Sequence, residues 1–110
     1  MTRPNEPHQV HIEVDGHLAA SAEVSSTDDP NVVRCAMHVE SGHLPPGTRA
    51  RLVDAVIDDP ALSGASHLSS SMPAGDTDLI DRIRERTDSV EIRAAGATKL
   101  VEADLRRLPS

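Results

Sequence analysis

Apolar and polar residues alternate along the first readable part of the chain. In HQVHIEV, residues 8–14, Val10, Ile12 and Val14 oppose His11 and Glu13; in LAASAEV, residues 18–24, Leu18, Ala20, Ala22 and Val24 repeat the pattern. A period of two predicts a pair of half-buried strands. A two-residue loop at Asp15-Gly16 would pair Val14 with His17 and throw the two apolar sets onto opposite faces. A three-residue loop, Asp15-Gly16-His17, is therefore expected, pairing Val14 with Leu18 and Ile12 with Ala20. The polar turn SSTDDPN leads into VVRCAMHVE, a third strand with Val33, Cys35, Met37 and Val39 on one face and Arg34, Ala36, His38 and Glu40 on the other.

The period then changes. After Leu44-Pro45-Pro46-Gly47, the residues Leu52, Val53, Val56 and Ile57 recur at helical spacing until Asp58-Asp59-Pro60, where proline cannot continue a helix. GASHLSSSM, residues 64–72, reads as a strand mainly by its position between two helices. GDTDLIDRIRERT predicts the second helix, with Asp76 as N-cap, Leu79, Ile80 and Ile83 inward, and Asp78 four residues before Arg82. SVEIRA and TKLVEADL close the chain as a hairpin whose loop at 95–98 sets Ile92 against Val101 and Val90 against Ala103. The order β-β-β-α-β-α-β-β predicts an α+β fold: a single mixed, mostly antiparallel sheet with two crossover helices. One domain is expected over residues 8–105, with residues 1–7 a disordered tail and 106–110 a C-terminal tail.

Composition thins the core. The 110 residues include no Phe, Trp or Tyr, so alanine and valine must pack where rings usually bury more area. Self-association as a homodimer, or another protein partner, is expected to cover part of that deficit. The formal net charge of −7 repels nucleic acid and anionic membrane surfaces, and no Phe, Tyr or Trp is present on which a base could stack. Cys35 is the single cysteine, so no internal disulfide forms. Neither a signal-type segment nor a run of 18 apolar residues occurs. A cytoplasmic protein is expected, and ten Arg to one Lys suits a high-GC bacterial genome.

Candidate chemistry gathers at two places. At Gly47, Thr48, Arg49 and Arg51 the start of a helix offers free N–H groups, a positive dipole end and two guanidinium groups, which suits a phosphate. The leading reading is nonetheless structural, with the phosphate second: Pro45 and Pro46 preset helical φ, and the arginines answer Asp54, Asp58 and Asp59. Histidine is the second resource. His38, Glu40, His43 and His67 would make a zinc site if the third and fourth strands brought them together. No Gly-x-Ser-x-Gly or His-Glu-x-x-His spacing is present, and Cys35 alternates with the core set.

Three antiparallel strands, a glycine turn opening a helix, a strand, a second helix and a closing hairpin together resemble the C-terminal two-thirds of the GNAT acyltransferase superfamily. Gly47 matches the first glycine of its [Q/R]-x-x-G-x-[G/A] motif, and Leu52 and Val53 match the apolar residues of the helix that follows. Leu44 stands in place of the Gln or Arg, and Arg49 in place of the second small residue. The family's usual tyrosine acid has no counterpart, nor do its first helices before residue 8. The resemblance implies coenzyme A or acyl-CoA held by backbone amides at Gly47. Since no catalytic constellation is visible, the leading expectation is a small interaction or regulatory domain, non-catalytic and without a cofactor. An acyl-CoA-binding protein or reduced acyltransferase is the alternative, and a metal-dependent function on the histidine face the third reading.

Overall fold

The computed structural model describes residues 8–40, 44–62 and 64–105. Six strands and two helices follow in the expected order: β1 His8–Val14, β2 His17–Ser26, β3 Val32–Val39, α1 Thr48–Ile57, β4 His67–Pro73, α2 Thr77–Arg86, β5 Thr87–Ala95 and β6 Thr98–Leu105. They form one sheet of order β1-β2-β3-β4-β6-β5, in which only β3 and β4 run parallel. Both helices lie on one face, α1 over β1 and β2 and α2 over β5 and β6, and they touch each other. Among the described residues no helix is long and apolar enough to cross a membrane.

The first hairpin corrects the loop expectation. Asp15 (φ 52°) and Gly16 (φ 85°) both have positive φ, the geometry of the two-residue turn that suits the twist of paired strands and that Asp-Gly favours. Val14 accordingly pairs with His17. The face conflict this creates is removed by a β-bulge: Glu13 pairs with Leu18 but Ile12 with Ala20, leaving Ala19 as the extra residue. Ala19 and Ala20 are both buried, and Leu18 is turned outward. The closing hairpin keeps its expected register, Ile92 to Val101 and Val90 to Ala103, but tightens its loop by pairing Ala95 with Thr98.

The core is aliphatic. Leu52, Val53 and Val56 of α1 and Leu79, Ile80 and Ile83 of α2 meet Ala22, Val24, Cys35, Met37, Leu68, Met72 and Val101 of the sheet. One polar atom is out of place there: Ser70 Oγ, between Cys35 and Val101 in register, has no hydrogen-bond partner among the described residues. A buried hydroxyl left unpaired loses its water without compensation. Ser70→Ala is therefore expected to raise the unfolding free energy by about 1 kcal/mol; chemical denaturation followed by circular dichroism measures it, and a loss of stability would reveal a partner for the hydroxyl.

Candidate functional site

The sheet opens at its centre. β3 and β4 pair from Val32–His67 to Ala36–Ser71 and no further. Beyond that point β3 continues to Val39 against β2 alone, and β4 to Pro73 against β6 alone. The resulting wedge holds a hollow of about 380 Å³ lined by Val39, Glu40, Arg49, Pro73 and the start of α2 at Gly75–Asp78. A second hollow of about 300 Å³ lies between the Leu44–Ala50 turn and Asp78, Asp81, Arg82 and Glu85 of α2. Arg49 and Asp78 line both.

The turn between them follows from its sequence. Thr48 N–H donates to Pro45 O at 3.2 Å, with Pro46 and Gly47 as the central residues and Gly47 at φ 88°, ψ −6°. Proline followed by a positive-φ glycine is the signature of a type II turn. Because Gly47 is the N-cap and has no side chain, α1 starts without a side-chain cap and with no acidic residue in its first turn. Gly47 O accepts from Arg51 N–H, while the N–H groups of Arg49 and Ala50 have no partner among the described residues. Nothing lies within 4 Å of where a Gly47 Cβ would stand, so the turn is open on that side.

Side chains from α2 hold the second half of α1. Asp54 accepts from Arg82 Nε (2.9 Å), Arg82 Nη2 (2.8 Å) and Arg86 Nη1 (2.7 Å), and Asp58 accepts from Arg86 Nη2 (2.9 Å). The hydrogen bond from Arg82, followed by the other contacts of the two arginines, holds the Asp54 carboxyl below its usual range against burial. Asp78 and Arg82, expected as a pair, do not bond; Arg82 serves Asp54 and Glu85 instead. Nor does Arg49 answer the acids of its own helix. It reaches Asp76, the N-cap of α2, with Nε 2.8 Å from Oδ1 and 2.9 Å from Oδ2, and Asp76 Oδ1 also caps Leu79 N–H. Arg51 is exposed.

The four candidate metal ligands do not converge. His67 sits beside Val32 in register, six residues from His38 along β3, roughly 20 Å at the rise of a strand. His43 lies outside the described residues, among which no group of three His, Cys, Asp or Glu side chains is arranged to hold a metal. His67 belongs to a separate polar chain: Nε2 is 2.6 Å from Glu102 Oε1, Nδ1 is 3.1 Å from Asp104 Oδ1, and Ser69 and Ser89 donate to the same two carboxylates. A carboxylate only accepts, so both ring nitrogens can be satisfied only when both carry protons. Hydrogen bonding to Glu102, aided by Asp104, raises the His67 pKa against burial. Burial pushes Glu102 up, but the bonds from His67 and Ser69 and nearby positive charge outweigh it and hold it low. Cys35 is pushed up to about 12 by burial, so its thiol is inert.

These shifts give a pH prediction. A raised histidine contributes stability that is complete below its unfolded value and lost as pH rises through the folded one; the lowered carboxylates contribute stability that is lost as pH falls through their own. The melting temperature is expected to fall by about 2–6 °C from pH 6 to pH 9, and the fall to vanish in His67→Gln. A fall of the same size in that variant would assign the pH dependence elsewhere.

No family model matches the sequence, and no curated protein does. Solved structures match the fold. A GNAT-family acetyltransferase from Streptococcus pneumoniae superposes with a TM-score of 0.64 at 9% identity, over 90% of this chain and 66% of that one. The protein yncA from Salmonella typhimurium, with its cofactor acetyl-CoA, gives 0.63 at 14% identity over 91% and 64%. Diaminobutyrate acetyltransferase from Paenibacillus lautus, with L-2,4-diaminobutyric acid and coenzyme A, gives 0.60 at 12% over 88% and 69%. The chain thus has a GNAT-like fold and spans about two-thirds of the length of these structures. This overturns the expectation of a non-catalytic interaction domain without a cofactor: the matched structures include acetyltransferases, and two of these three carry acetyl-CoA or coenzyme A.

Proposed function

We propose that this chain binds acyl-coenzyme A in the wedge between β3 and β4 and transfers the acyl group to an amine. The observation that carries the reading is the parting of the two parallel strands after Ala36 and Ser71, which opens a hollow directly beside the uncapped start of α1. The residues present fit the ligand. Two unfilled N–H groups, a positive helix end and the Arg49 guanidinium suit a diphosphate, and the open Gly47 turn lets it approach the backbone.

Acyl-coenzyme A, when bound, would supply an acyl thioester, a carbonyl activated toward amines. Glu40 is the carboxylate that lines both the wedge and an adjoining hollow of about 220 Å³ floored by Leu18, Ala19, Ala20 and Val39. From there it can accept the proton an ammonium must lose before its nitrogen attacks. The coenzyme departs as its thiolate, which then takes a proton from solvent.

The test is release of free thiol from acetyl-coenzyme A in the presence of a panel of primary amines. The buried Cys35 thiol does not compete with the reagent. Amine-dependent release above the uncatalysed rate is expected; none with any amine, together with no coenzyme binding, would remove the reading.

A further inference from the structure

The geometry points to Arg49 as the side chain that grips the coenzyme diphosphate, and to Asp76 as the residue that positions it. This inference rests on the acyl-coenzyme A reading and goes beyond it, because Arg49 stands where the superfamily motif has a small residue. Its substitution looks like an obstruction until the side chain is followed. Arg49 lines both hollows beside the turn, and its Nε is held by both oxygens of Asp76. Its two Nη atoms make no hydrogen bond to any described residue.

An arginine anchored through Nε keeps its other four N–H donors in a fixed fork, the arrangement that recognises paired oxyanions. Asp76 is a rigid anchor, since its side chain is 8% exposed and is also tied to the first turn of α2 through Leu79 N–H. The alternative cation is already occupied. Arg82, the other basic residue lining these hollows, has Nε and Nη2 on Asp54 and Nη1 facing Glu85. With Asp78, Asp81 and Glu85 nearby, an approaching diphosphate meets a net negative rim unless one guanidinium is aimed at it. Arg49 thus supplies from the helix the charge that Leu44 does not supply from the loop.

Two probes, coenzyme A and pantetheine, titrated against wild type, Arg49→Ala, Arg49→Lys and Asp76→Asn by heteronuclear NMR, test this. Pantetheine lacks the diphosphate and the nucleotide. Arg49→Ala is expected to weaken coenzyme A about tenfold or more and to leave pantetheine unchanged. Asp76→Asn keeps the oxygen that caps Leu79 but loses the anchoring charge, so it should weaken coenzyme A severalfold and again spare pantetheine. Arg49→Lys should recover only part of the affinity, having charge but no Nε–H. Tighter or unchanged coenzyme binding in Asp76→Asn overturns the positioning role, because it means the carboxylate only repels the ligand. Equal weakening of both probes assigns the pair to structure alone. Coenzyme that binds wild type and Arg49→Ala alike defeats this inference and leaves the acyl-coenzyme A reading standing; coenzyme that fails to bind wild type defeats that reading too.

Discussion

Leu68→Ala is expected to cost about 3 kcal/mol of unfolding free energy, within the range of about 2–5 kcal/mol for a buried leucine truncation. Leu68 is fully buried on the fourth strand of the sheet, between Val33 and Ala103 in register. Those neighbours are small, and the chain has no Phe, Tyr or Trp that could swing into the space, so the cavity stays open and its full cost is felt. In a domain of this size the melting temperature should fall by more than about 10 °C. Leu100→Ala, at a side chain 39% exposed, should cost under about 1 kcal/mol. Thermal and denaturant unfolding followed by far-ultraviolet circular dichroism measures both, and a Leu68 loss no larger than that of Leu100 would place the packing centre of the sheet elsewhere.

Glu40→Gln carries the other large effect. Under acyl transfer, the change leaves the shape of the wedge intact and removes the proton acceptor, so the turnover rate with an ammonium acceptor should drop by about 10²- to 10⁴-fold, roughly 3–5 kcal/mol of barrier. The KM for acetyl-coenzyme A should not rise, because the change removes a negative charge from the hollow that Arg49 also lines. Raising the pH should restore part of the rate, since more of the amine is then already neutral. Steady-state kinetics at pH 7 and pH 9 separate these cases. A variant as active as wild type at both values would transfer the proton step from Glu40 to solvent.

The order of elements was legible because period-two and helical spacing are local properties. Val33, Cys35, Met37 and Val39 mark β3, and Asp76 marks the start of α2 by its capping chemistry alone. The first hairpin was harder, because two local rules disagreed there. Asp-Gly favours a two-residue turn while matching of apolar faces favours three, and the bulge at Ala19 satisfies both. What lay out of reach was tertiary. Arg49 meets Asp76 across 27 residues, Arg82 meets Asp54 across 28, and His67 meets Glu102 across 35, and no spacing rule links such pairs. The length over which β3 and β4 stay paired is likewise a property of the assembled sheet. A half-filled motif around Gly47 therefore weighed less in the sequence than the wedge beside it does in the structure.

The central claim is that the parting of β3 and β4 beside Gly47 is a coenzyme site, and a titration of coenzyme A into labelled protein, followed by heteronuclear NMR, tests it most directly. The account predicts saturable binding with a dissociation constant below about 100 µM, near −5.5 kcal/mol, with shifts concentrated at Val39–Glu40, Leu44–Arg51 and Met72–Asp78. Absence of saturation at millimolar coenzyme, or weak shifts scattered over the surface and abolished by salt, would contradict it.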